Sequence, residues 1–183
     1  MKSLVTLIWL LLTPLSMLSQ DNATVDRTKL NGTWVFDAKA SNADSYTKER
    51  FAGKDLTITY VEPELKILEP YTKDGQTFYT TLIFYTDGRG ETNNHYPITA
   101  NFQFTSVTVW QKDVLTRTYK IPAYNSGKPV GDIKYVETYK ISRDGRTLTI
   151  EKHSKANFTT NSRYGKLTTK NSSKTKRVYQ RRL

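Results

Sequence analysis

The sequence predicts an all-β domain, an antiparallel up-and-down β-barrel of about eight to ten strands with little helix. Short runs of alternating apolar and polar residues recur along the chain, separated by turn residues at close intervals. Asp74-Gly75 and Asp144-Gly145 sit between such runs, and Asp-Gly supplies the positive φ that tight hairpins require. Finally, Leu30-Asn31-Gly32-Thr33-Trp34-Val35-Phe36-Asp37 opens the first strand, and Lys176-Arg177-Val178-Tyr179-Gln180-Arg181-Arg182 forms a basic, aromatic last one. A barrel closes when the last strand returns to the first.

The chain has 183 residues, enough for one domain with a real core. Residues 1–19 read as a secretory signal peptide: Lys2 supplies a basic start, residues 4–12 are apolar, and Ser16 and Ser19 follow. The apolar run is shorter than the ~20 residues a spanning helix needs. Residues 20–29 read as a flexible leader, and residues 30–183 as the barrel. The expected location is therefore secreted or periplasmic. Cysteine is absent, so no disulfide supports the fold and no thiol can carry a lipid anchor.

The first strand is expected over 33–38. Residues 39–54 are polar and read as loop with one or two helical turns, Gly53 being a plausible stop. In 55–62, Leu56, Ile58 and Tyr60 share one face, and 65–71 returns after Pro63-Glu64. The most apolar strand is 77–86, with Phe78, Leu82 and Phe84 on one side and Tyr79, Ile83 and Tyr85 on the other. A weak polar strand, 91–96, precedes strands at 102–111 and 114–121. Pro122, Gly127, Pro129 and Gly131 mark 122–132 as a loop. Strands at 133–142 and 147–154 follow, then an irregular polar stretch, 155–173, and a last strand over 174–182.

Gly32-Thr33-Trp34, the hairpin order and Arg177-Val178-Tyr179 together resemble the calycin superfamily, the lipocalins and fatty-acid-binding proteins. The similarity is greatest to small secreted bacterial lipocalin-like proteins of unassigned function. It implies that Trp34 lies at the closed end of the barrel beneath a terminal-strand arginine, Arg177 or Arg181, with Gly32, Trp34 and Arg181 structural. It also implies that Arg177 and Tyr179, two apart on one strand face, clamp a ligand carboxylate. The polar 39–54 stretch departs from the well-formed helical cap of fatty-acid-binding proteins.

Arg117 and Tyr119 repeat the Arg-x-Tyr pattern within Leu115-Arg117-Tyr119-Ile121, placing an arginine in an inward-facing alternation. Two readings stand: Arg117 holds a ligand anion, or it pairs with Glu137 across the barrel. The expected interior is Leu82, Phe84, Phe104, Trp110 and Ile150. The candidate ligand set is thus Arg117, Tyr119, Arg177, Tyr179, Phe84 and Trp110, for a small hydrophobic, amphipathic or fatty-acid-like molecule. No cofactor or metal is expected, because His95 and His153 are isolated and no nucleophile–base pair is visible. The protein is read as a non-enzymatic monomer. The net charge of +11, concentrated after residue 150, gives the alternative: a packed barrel whose basic face docks on anionic envelope polymers or a protein partner. Nucleic acid is disfavoured by the lack of a helical basic stripe.

Overall fold

A computed structural model describes residues 26–94, 103–125, 128–162 and 165–183. The expected signal peptide, most of the leader and His95 lie outside the described residues.

The strands are β1 (Gly32–Phe36), β2 (Asp55–Val61), β3 (Glu64–Lys73), β4 (Gln76–Tyr85), β5 (Glu91–Asn94), β6 (Gln103–Gln111), β7 (Val114–Asn125), β8 (Lys128–Ile141), β9 (Thr147–Ser162) and β10 (Gly165–Arg181). One helix, α1 (Ser45–Phe51), lies between β1 and β2. All pairings are antiparallel, and the sheet order is β4-β3-β2-β1-β10-β9-β8-β7-β6-β5. This is an up-and-down meander rolled into a nearly closed barrel. As expected, the last strand lies beside the first, with Trp34 opposite Arg181 and Phe36 opposite Tyr179.

The remaining seam, between β4 and β5, is closed by side chains. Asn93 accepts from the Ile83 amide at 2.8 Å and donates to the Ile83 carbonyl at 2.7 Å, imitating a ladder pair. Glu91 accepts from the Tyr85 amide at 3.2 Å with one oxygen, and from Thr108 at 3.0 Å and Ser106 with the other. The low apolar content of β5 has this physical reason: its polar side chains do the joining.

Alternation delivers the core. Leu56, Ile58 and Tyr60 of β2, Leu65 and Ile67 of β3, Leu82 and Phe84 of β4, Leu115 of β7, and Leu148 and Ile150 of β9 all point inward and are buried. At the closed end Trp34 is fully buried and donates from Nε1 to the Leu30 carbonyl at 3.0 Å. Arg181 is the residue that covers it: its guanidinium lies 4.5 Å over the indole and donates to the Gly145 and Asn31 carbonyls at 2.7 and 2.6 Å and to that of Lys29. Gly32 is required there. Its φ is +140°, and a Cβ would fall 2.6 Å from Arg181 Nη1.

Three expectations need correction. Residues 27–29, assigned to the leader, form with Leu30 a 3-10 turn capped by Asp26, whose carboxylate accepts from the Thr28 amide at 3.0 Å. The loop expected over 122–132 is strand: β7 and β8 run on to Asn125 and from Lys128, and a register shift at Ala123/Tyr124 absorbs Pro129. Within the stretch 155–173, expected to be irregular, residues 155–162 of β9 and 165–173 of β10 are paired strand. Up to Phe158 this part of β9 also pairs with β8, and its Thr- and Lys-rich sequence carries no apolar alternation to reveal it.

Candidate functional site

Three consecutive inward rows of the β6–β10 register build the interior. One reads Trp110–Leu115–Tyr139–Ile150–Arg177, the next Thr108–Arg117–Glu137–Lys152–Thr175, and the third Ser106–Tyr119–Tyr135–Ser154–Ser173. Apolar near the closed end, the barrel becomes charged towards α1. The helix is capped by Asp44, which accepts from the Thr47 amide at 2.7 Å. It seats Phe51 against Phe36 and Tyr179, at ring distances of 5.9 and 6.2 Å. Thr47, Arg50 and Phe51 thereby cover an internal cavity of about 100 Å³.

Four cations, Arg50, Arg117, Lys152 and Arg177, and two carboxylates, Glu69 and Glu137, line this cavity. Glu137 is buried, pairs with Arg117 and accepts from the Tyr119 and Tyr139 hydroxyls, each at 3.1 Å; Lys152 stands 3.9 Å away. Arg117 and Glu137 occupy opposed positions on adjacent strands, so the pair forms along the wall and not across the barrel. Glu69 bridges Arg50 and Arg177, at 3.1 Å to each. Burial alone would raise the pKa of both carboxyls. Arg117 first, then Lys152 and Arg177, outweigh burial at Glu137, and Arg50 and Arg177 outweigh it at Glu69, so both lie below the ordinary carboxylate range. Burial, then the Glu137 charge, pushes the Tyr119 phenol up. Burial also raises Tyr139, takes Tyr179 to about 12, and pushes the Lys152 ammonium down.

Arg117 is the least satisfied group. Its Nη2 holds Glu137, while Nε and Nη1 are buried and have no hydrogen-bond partner among the described residues. Its guanidinium rests on Phe84 at 4.4 Å and Tyr119 at 4.8 Å, with Phe104 at 5.7 Å. Ring faces lower the cost of burying the cation but leave its in-plane donors unused. Nε and Nη1 point to different edges of the guanidinium and form no fork; each is a charged donor open to one oxygen of a carboxylate or phosphate.

Of the sequence-derived ligand set, Arg117, Tyr119 and Arg177 line the cavity, and Phe84 supports Arg117. Tyr179 is fully buried behind Arg177, whose Nη1 lies 3.4 Å from its hydroxyl, packed on Phe36 and not among the lining residues. Trp110 is displaced towards the closed end, where Nε1 donates to the Tyr60 hydroxyl at 3.2 Å and Arg27 lies 4.8 Å over the ring. The indole has a partner of its own and does not join the cavity. His153 is exposed within β9, 3.9 Å from Glu151.

Sequence reasoning missed Arg50, Glu69, Tyr139 and Lys152. For three of these a signal existed: Leu65-Ile67-Glu69, Leu148-Ile150-Lys152 and Glu137-Tyr139 each continue an inward alternation. Arg50 is brought in by helix geometry, which strand periodicity does not read. It also lines a wider outer cleft of about 430 Å³ with Glu49, Lys54, Tyr71 and Thr72.

Fold and interior together define an antiparallel barrel with a cation-rich internal cavity. Comparison with protein-family models finds no match to the chain, and comparison with curated proteins finds none. Among the described residues no helix is long and apolar enough to cross a membrane.

Proposed function

We propose that this chain is an exported, non-enzymatic binding protein whose barrel interior receives the anionic head of a small amphipathic molecule. The observation that carries the reading is the pair of buried, unpartnered donors on Arg117. The lining charge agrees, since cations outnumber carboxylates around the cavity. Size sets the ligand. An engineered cavity of about 150 Å³ accepts benzene, so 100 Å³ suits a head group and a few carbons, not a long acyl chain. A longer tail would leave past Arg50 into the outer cleft. Binding is favoured over proton transfer because both lining carboxyls are held ionised and the lining phenols are held neutral across neutral pH.

Calorimetric titration with sodium hexanoate, hexan-1-ol and hexylamine tests the reading. Charged hydrogen bonds on this scale should favour hexanoate over the alcohol by about tenfold to a hundredfold. Equal binding of the three, or no binding of hexanoate, refutes it.

A further inference from the structure

The outer wall of the barrel carries a second charged row, separate from the cavity. Antiparallel register places Lys120 of β7 opposite Lys134 of β8, and Lys134 opposite Lys155 of β9. All three side chains are exposed. With strands about 4.8 Å apart, three ammonium groups are rooted within about 10 Å of one another. Ser172 continues the row on β10, and exposed Lys174 and Lys170 stand one outward position to either side of it.

Nothing in the fold requires this arrangement. Like charges directly opposed on neighbouring strands destabilise a sheet. Lysines often guard exposed strand edges, which fits Lys120, one residue beyond the end of the β6–β7 ladder, but not Lys134 or Lys155, whose strands are paired on both sides along this row. Acidic neighbours do not neutralise it. Asp132 is the one carboxylate on the next outward row, and Glu151 is engaged by Lys174 at 3.2 Å, with His153 at 3.9 Å. Lys120, Lys134 and Lys155 have no ion-pair partner among the described residues.

We infer that this row is a docking strip for a linear anionic polysaccharide, of the kind that carries one carboxylate on each sugar. A row of point charges crossing three strands exceeds the span of a single small anion and matches a chain of regularly repeated ones. Nucleic acid fits less well. The outward neighbours Thr118, Val136, His153 and Ser172 include no Phe, Tyr or Trp for base stacking. The inference is independent of the cavity.

The test is binding of polygalacturonate to the full mature protein at low ionic strength, with a single-stranded oligothymidylate as competitor. Lys120→Thr/Lys134→Thr/Lys155→Thr keeps residues suited to strands. Lys39→Gln/Lys66→Gln/Lys112→Gln removes the same charge from other exposed sites. The row variant should bind polygalacturonate about tenfold more weakly or worse, with a shallower salt dependence, while the control changes by about twofold or less. The row variant should also melt at the same or a higher temperature, its opposed charges being gone. Equal losses in both variants would reduce the effect to net charge and overturn the inference. So would no wild-type binding of polygalacturonate, or tighter, row-dependent binding of the oligothymidylate.

Discussion

Replacing Glu137 by Gln tests the interior most severely. The carboxylate is 2% exposed and is the only one paired with Arg117 among the described residues. Gln keeps the shape; its carbonyl can accept from one of the Tyr119 and Tyr139 hydroxyls while its amide donates to the other, so the loss is chiefly that of charge. Removing one partner of a buried ion pair costs about 3–5 kcal/mol, because the other charge is left uncompensated. For a domain of this size each kcal/mol moves the melting temperature by about 2–4 °C, so Tm should fall by roughly 6–20 °C. Removing both charges in Arg117→Leu/Glu137→Leu should be far milder, since well-packed apolar replacements of buried pairs are often neutral. The assay is urea and thermal unfolding with and without hexanoate. An anion that reaches Arg117 should restore part of the loss in Glu137→Gln, about 2.7 kcal/mol at a hundred times its dissociation constant. A cost under about 1 kcal/mol, or a full cost with no rescue by hexanoate, would refute the reasoning.

Gly32→Ala should cost about 1–3 kcal/mol, because the new Cβ meets Arg181 Nη1 at a positive φ and disturbs the carbonyl contacts that cover Trp34; urea unfolding measures it. Asn93→Leu removes both bonds to Ile83 and should cost about 2–3 kcal/mol, with hydrogen exchange accelerated along β4 and β5 before the rest of the barrel. Glu69 and Glu137 have folded pKa values below the unfolded value, so at intermediate pH the unfolded chain binds more protons. Their contribution is complete above about pH 4.5 and is lost as pH falls further; acid titration of stability should show the loss, and Glu137→Gln should reduce it. Tyr179 moves the opposite way: its folded pKa is raised from 10.0 to about 12, so about 3 kcal/mol is lost as pH rises through that window, visible in Tyr179→Phe as a flatter alkaline stability profile.

Much of the fold was legible because burial on one face imposes a period of two. Leu56, Ile58 and Tyr60, or Leu82 and Phe84, announce their strands in sequence and are buried in the barrel. The cover on Trp34 was expected only through the resemblance, which left Arg177 and Arg181 open; the structure has Arg181 over the indole. What escaped reading was strand without apolar alternation, and what was read only weakly was a strand of polar residues. The outer halves of β9 and β10 are polar on their described exposed positions, and β5 is polar because Glu91 and Asn93 substitute side-chain bonds for a ladder. In the site, Arg117 was conspicuous as a charge within an apolar alternation. Glu69 and Lys152 were equally placed, but each lies at the end of its apolar run, where a charge also fits the onset of a loop. Trp110 was misplaced because alternation gives the side of a strand and says nothing of its height in the barrel, and its indole settles beside Tyr60.

The most direct measurement of the central claim is the Nε–H resonance of Arg117, assigned through an Arg117→Lys variant and followed as hexanoate is added. If the cavity receives an anionic head, this resonance moves with saturating dependence on hexanoate and stays fixed with hexan-1-ol, while that of Arg181, already bonded to Gly145, does not change. A fixed Arg117 resonance alongside measurable hexanoate binding would put the anion elsewhere and contradict the account.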